Sequence, residues 1–139
     1  MNFEEPLRTR GGYVAGTLIG DPGKPVRIYR GIPYGASSAG ENRWRPPQPA
    51  PGWAGIRDCT MMPPSAPQAI GKLQIALHIP QSEDCLTLNV LTPARTSRDR
   101  LPVMVWLHGG AFIHGNGNEP FFNSPRLPEQ GAVLVNMNM

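Results

Sequence analysis

Apolar and polar positions along the chain fall into short runs with two kinds of pattern. Residues 12–19, Gly-Tyr-Val-Ala-Gly-Thr-Leu-Ile, read as a short strand, followed by a turn at Gly20-Asp-Pro-Gly23. Val26-Arg-Ile-Tyr29 alternates apolar with polar, the period of a strand with one wet face, so the two runs predict a hairpin. Leu86-Thr-Leu-Asn-Val-Leu91 alternates in the same way and ends before Pro93. Two further runs, Val103-Met-Val-Trp-Leu107 and Ala132-Val-Leu-Val135, are continuously apolar. Such runs, bounded by glycine or proline, suit central strands covered on both faces. Residues 68–79 suggest one short helix, interrupted by Gly71. Central strands need helices against their faces, and the sequence supplies almost none. The pattern therefore predicts an incomplete piece of a larger α/β domain, mostly strands and loops, spanning residues 1–139.

Composition narrows the classes. With 16 glycines and 17 prolines among 139 residues, about a quarter of the chain breaks helices, roughly twice the usual share. That excludes a helical bundle. The 40% of hydrophobic residues, gathered in compact runs, exclude a disordered chain. No run approaches the ~20 apolar residues of a membrane helix, and no repeat appears. Within the proline-rich residues 31–68, Trp44 and Trp53 read as anchors of ordered coil, since linkers rarely carry tryptophan. The net charge of +3 is spread thinly. Its densest group, Arg95, Arg98 and Arg100, lies in a polar loop between Pro93 and Pro102, so no nucleic-acid surface is expected. The first ten residues carry acids and no apolar core, unlike a secretory signal. Two cysteines, Cys59 and Cys85, make no disulfide framework, and reduced thiols in a cytoplasmic setting are the expectation.

The candidate chemistry sits where Val103–Leu107 runs into His108-Gly-Gly-Ala-Phe112 and Ile-His-Gly-Asn-Gly117. A phosphate-binding loop is approached by Gly110-x-x-x-x-Gly115, but Asn116-Gly117 stands where Lys and Ser/Thr are required. The dinucleotide pattern begins at Gly115-x-Gly117 and meets Pro120 in place of its third glycine. A strand followed by His-Gly-Gly and a small residue suits acyl transfer instead. The attacked carbonyl oxygen becomes an oxyanion and needs preorganised N–H donors, which approach closely only where side chains do not obstruct. An HGGG-type loop plays this part in lipases and esterases.

Four segments carry a resemblance. Tyr29-Arg-Gly-Ile-Pro-Tyr-Gly35, Arg43-Trp-Arg-Pro-Pro47, Ser82-Glu-Asp-Cys-Leu-Thr-Leu-Asn-Val90 and Pro102-Val-Met-Val-Trp-Leu-His-Gly-Gly-Ala-Phe112 together resemble the amino-terminal part of a type-B carboxylesterase. That family includes bacterial para-nitrobenzyl esterases and cholinesterases. The resemblance runs from about Tyr13 to the end. It implies the amino-terminal part of an α/β-hydrolase fold, hydrolysis of a small-molecule carboxylic ester, and no metal or organic cofactor. It implies that Gly110 and Ala111 supply oxyanion donors, that Gly109 shapes the turn, and that Arg43 and Glu83 form a buried structural ion pair, with Asn89 a structural polar position. The family often bridges the cysteine of Glu-Asp-Cys to one just before Pro-Gln. Ala66 stands at that place here, so Cys85 is expected as a buried free thiol, with a bridge to Cys59 the alternative. No aromatic residue lies between Pro67 and Glu83, so choline esters are not the expected substrates. The family continues the last strand with Tyr-Arg-Leu-Gly, and Met139 stands at that tyrosine.

The rest of a serine esterase is not in the sequence. Ser37, Ser38, Ser65, Ser82, Ser97 and Ser124 all lack the Gly-x-Ser-x-Gly elbow. Ala36-Ser-Ser38-Ala-Gly40 comes nearest but follows no apolar strand. His78, His108 and His114 precede any nucleophile, whereas the histidine comes last in this fold. His108 reads as a brace for the loop, His114 as a residue near a pocket mouth, and no metal site is expected of the three. Trp106 reads as core and Phe121-Phe122 as packing for the loop, while Phe112 suits either core packing or the wall of an acyl pocket. The chain is expected to carry the oxyanion segment (Gly109, Gly110, Ala111), with Phe112 beside substrate, and to be inactive alone. The alternatives are a non-catalytic binding protein of the same fold and an inactive gene fragment. Neither nucleic acid nor membrane is expected as a partner.

Overall fold

Gly16 divides what the pattern reads as one strand. A Cβ there would lie 2.4 Å from the carbonyl oxygen of Ile28 and 2.7 Å from the Tyr29 ring. Only glycine lets the chain press so close and pass from one sheet to another. The structure, a computed structural model, describes residues 5–69, 79–96 and 98–139. Strands β1 (Leu7–Arg8) and β2 (Tyr13–Ala15) precede that glycine; β3 (Thr17–Ile19) follows it. After β4 (Val26–Pro33) come β5 (Ile56–Asp58), β6 (Thr87–Thr92), β7 (Val103–Leu107) and β8 (Val133–Met137).

A small sheet has the order β1-β2-β5, antiparallel then parallel. The larger sheet has the order β3-β4-β6-β8-β7, in which only the β7–β8 pair is parallel. The predicted hairpin is β3–β4. Strand β4 continues past Tyr29 through an irregularity before Ile32, where Gly31 takes φ 73° and donates its N–H to Asn89 Oδ1 at 3.0 Å. Among the described residues helical structure is limited to 3-10 turns at Gly40–Asn42 and Pro128–Gln130. The helix expected over residues 68–79 falls almost wholly outside the described residues.

Alternation along β4 feeds two cores. Val26 and Ile28 pack with Leu91 and Leu134. Tyr29 packs with Val14 and Cys59 on the other side, flanked by Trp53, Ile32 and Val90. Val26, Ile28 and Leu91 are fully buried, and each contributes about 1.5–3 kcal/mol by leaving water. Trp53 anchors the proline-rich stretch as expected. Its indole N–H donates to the Tyr13 carbonyl at 2.8 Å, its ring fills the space against Gly11 and Gly12, and the Arg57 guanidinium lies 5.5 Å above it. Trp44 does not anchor: it is 98% exposed, at φ 62°.

The last apolar run, read as a central strand, lies inside the sheet as β8. The edge is β7. All five of its apolar residues are exposed, where cover on both faces was expected, because the described residues place no strand beyond it and no helix over it.

Candidate active site

Strand β7 delivers the glycine-rich loop to the end of the sheet. His108 leaves the strand, and Gly110, Ala111 and Phe112 then take φ values of 135°, 53° and 62° in succession. Ala111 and Phe112 pay about 1–2 kcal/mol each for this left-handed geometry. At Gly110 no other residue fits: a Cβ would sit 1.6 Å from the carbonyl oxygen of His114. The Gly110 carbonyl accepts the N–H groups of Ile113 and His114, at 3.0 and 3.2 Å, which closes the turn. The N–H groups of Gly110 and Ala111 donate to no partner among the described residues. The loop lines a cleft of about 580 Å³, walled by residues 66–68, 108–115 and Met139. Two uncommitted amide donors in a largely apolar cleft can hold negative charge on an oxygen placed between them.

The structure brings Gly109, Gly110, Ala111 and Phe112 to this cleft together. The Phe112 side chain lines the cleft and stands fully in solvent, so it packs in no core among the described residues. Nδ1 of His108 lies 2.8 Å from the Gly109 carbonyl oxygen, consistent with a brace. Nε2 is buried without a partner among the described residues. His114 lines the cleft and is exposed; His78 lies outside the described residues. The Phe122 ring lies 5.0 Å from that of Trp106, tilted by 36°, and Phe121 meets Phe122 edge-on at 5.6 Å while itself remaining exposed.

Sequence reasoning missed the floor on which the loop rests. Gly115 donates its N–H to Gln68 Oε1 at 2.8 Å, and Gln68 Nε2 donates back to the Gly115 carbonyl at 2.9 Å. A buried group of asparagines follows. Asn89 Nδ2 donates to Asn118 Oδ1 and Asn123 Oδ1, both at 3.0 Å, and to the Gly117 carbonyl at 3.4 Å. Asn138 Oδ1 accepts the Gly117 N–H at 3.4 Å, and Asn136 Nδ2 donates to the Phe122 carbonyl at 2.5 Å. Gly117 has no room for a side chain, since its Cβ would lie 2.6 Å from the Met137 carbonyl oxygen. Asn116 and Asn118 lie outside any strand and Asn138 lies just past β8, so no strand period announces the group.

The remaining candidates are structural. Ser38 donates to the Glu83 carbonyl at 2.6 Å and Ser65 to the Pro80 carbonyl at 3.3 Å. Ser37, Ser82 and Ser124 accept backbone N–H groups two residues on. No described serine bonds to a histidine, and Ser97 lies outside the described residues. Arg43 pairs with Glu83 through both ends of its guanidinium, and those hydrogen bonds hold the Glu83 carboxyl below the usual carboxylate range. The pair is not buried as expected: the side chains are 53% and 32% exposed. Cys59 and Cys85 are free, and burial pushes both thiols up. The bridge between them is absent. Among the described residues no cluster of three or more His, Cys, Asp or Glu side chains is placed to hold a metal ion, and no helix is long and apolar enough to cross a membrane.

The sequence profile of the carboxylesterase family matches residues 4–139. The chain belongs to the carboxylesterase family. It is 38% identical over 133 residues to the fumonisin B1 esterase of Sphingopyxis macrogoltabida, covering 94% of this chain and 23% of that protein. It is 39% identical over 122 residues to the para-nitrobenzyl esterase of Bacillus subtilis, covering 86% and 25%. Among solved structures, a para-nitrobenzyl esterase superposes with TM-score 0.85 at 37% identity, over 97% of this chain and 27% of that one. A Geobacillus stearothermophilus carboxylesterase gives TM-score 0.81 at 34% identity, over 96% and 26%. The fold is accordingly that of an α/β-hydrolase, and these residues span about a quarter of the relatives' length.

Proposed function

We propose that residues 1–139 are the amino-terminal segment of a serine-type carboxylesterase and supply its oxyanion-binding loop. In this reading a serine outside these residues adds its oxygen to the ester carbonyl carbon while a histidine takes its proton. The carbonyl π electrons move onto oxygen, and the N–H groups of Gly110 and Ala111 receive that charge. Gly109 gives the chain its path into the turn, and Phe112 stands beside the acyl group. The alcohol leaves with the proton from histidine, and water then frees the acid by the same two steps. No metal or organic cofactor enters this scheme. The substrate class is a small-molecule carboxylic ester, and two unbridged thiols suit a cytoplasmic site of action.

One observation carries this reading: Gly110 and Ala111 line a cleft, and their amides donate to no partner among the described residues. Joining residues 1–139 to the carboxyl-terminal three quarters of the Bacillus subtilis esterase tests it. The graft is expected to hydrolyse para-nitrophenyl acetate. Gly110→Ala forces the turn to open, and loss of one oxyanion donor costs roughly a hundred- to a thousandfold in kcat. The variant's KM should change little. A graft folded by circular dichroism yet unable to turn over, or a Gly110→Ala graft with unchanged kcat, would overturn the reading.

A further inference from the structure

We propose that Gln68 is a positioning residue for the oxyanion loop, its side-chain amide acting as a surrogate peptide that clamps Gly115. The proposal rests on the esterase reading of Gly110 and Ala111. Gln68 meets Gly115 through a reciprocal pair of bonds, accepting its N–H at 2.8 Å and donating to its carbonyl at 2.9 Å. This is how one strand residue pairs with another, achieved here by a side chain. No other side chain among the described residues hydrogen-bonds to Gly115.

Both ends of the clamp are fixed. The second bond of the Gln68 Nε2 amide goes to the Ala66 carbonyl at 3.0 Å. The Gln68 backbone is itself held by Gln81, which accepts its N–H at 3.0 Å and donates to its carbonyl at 3.1 Å. On the other side, Gly115 lies against the start of the loop: a Cβ on it would fall 2.3 Å from the Gly109 carbonyl oxygen and 2.5 Å from His108 Nδ1. Gly115 therefore cannot shift without moving the Gly109 peptide, and with it the amides of Gly110 and Ala111. The donors carry the left-handed backbone of Ala111 and Phe112, which relaxes unless its surroundings hold it. Gln68 closes that frame from outside the loop, at the wall of the same cleft.

Three substitutions separate positioning from general packing. Gln68→Ala removes both bonds, and a displacement of the order of 1 Å costs up to about a hundredfold in rate. In the graft, kcat should fall at least tenfold with KM within about twofold. The inhibition constant of a trifluoromethyl ketone, whose adduct places an oxyanion in the same hole, should rise by the same factor. Gln68→Asn is one methylene short and should behave like the alanine variant. Gln68→Glu keeps the acceptor as a carboxylate but loses the donor, and its charge faces the Gly115 carbonyl. Protonation restores a donor and an acceptor together. The ratio of its kcat to that of the parent graft should therefore climb as pH falls from about 8 toward the carboxyl range near 5, a ratio that cancels the titration of the catalytic base.

An active parent graft with kcat and trifluoromethyl ketone affinity unmoved by Gln68→Ala would overturn the clamp, as would a flat pH ratio for Gln68→Glu. A folded but inactive parent graft would remove the esterase reading instead. Amide exchange then still reads the clamp: the Gly115 N–H should exchange at least tenfold more slowly in the parent than in Gln68→Ala, and equal rates would dispose of it.

Discussion

Asn89 holds three segments at once. Its oxygen accepts from Gly31 in the bulge of β4, and its nitrogen donates into the stretch from Gly117 to Asn123. Asn89→Asp keeps the first bond and turns the donated ones into oxygen facing oxygen. Each buried group left unsatisfied costs about 1–3 kcal/mol. The graft carrying Asn89→Asp should melt well below its parent, and should lose more stability than one carrying Gln68→Ala; equal melting temperatures would count against the network. Not all of this was legible from the residues. Gly110 stood out because a missing Cβ beside a strand has few uses, and the turn there leaves no room for a side chain against the His114 carbonyl. Asn116, Asn118, Asn136 and Asn138 could not, because asparagine is ordinarily a surface residue and their burial arises between segments distant in sequence. Gln68 reads in the sequence only as the residue after Pro67 and the start of the expected helix over residues 68–79, for the same reason. The Arg43–Glu83 pairing was anticipated and is present, but the burial expected of it is not, since no described residue covers it.

Strand positions were legible where the apolar run was long enough to beat its surroundings. Val103–Leu107 agrees residue for residue, and the run ending at Leu91 becomes Thr87–Thr92. The run beginning at Ala132 continues to Met137, past where Asn136 broke the apolar pattern; that side chain turns inward to the Phe122 carbonyl rather than ending the strand. Leu7–Arg8 and Ile56–Asp58 are too short to show a period at all. Exposure was the harder property, because a sequence gives the affinity of a strand for cover and not the cover itself. Strand β7 shows the consequence: Val103, Val105 and Leu107 are each about 60% exposed on an edge that no strand among the described residues pairs with. Such an edge templates association with another chain, and a lysine on it opposes pairing. The 139-residue chain should self-associate at micromolar concentration, and Val105→Lys should reduce this severalfold. Light scattering across a dilution series checks it; identical association by both chains would clear β7 of the role.

At the scale of the molecule, the division of labour is set by what the residues can and cannot do. A pair of amides stabilises an oxyanion only after a nucleophile has made one, and every described serine here is tied to backbone rather than to a base. Serine becomes reactive when an adjacent base accepts its proton and the oxyanion site accepts the charge; either half alone leaves it an ordinary alcohol. A serine-directed fluorophosphonate separates the halves without needing turnover. Incubated with the 139-residue chain, it should leave the intact mass unchanged. Incubated with the graft, it should add one phosphonyl group, and peptide mapping should place that group beyond residue 139. A label on Ser37, Ser38, Ser65, Ser82, Ser97 or Ser124 would mean that this segment holds a nucleophile of its own. In that case the proposed division between oxyanion loop and nucleophile would be wrong. Gly110→Ala provides the internal control. It leaves every candidate serine in place and removes only the geometry that receives the charge, so it should slow labelling of the graft without moving the site that is labelled.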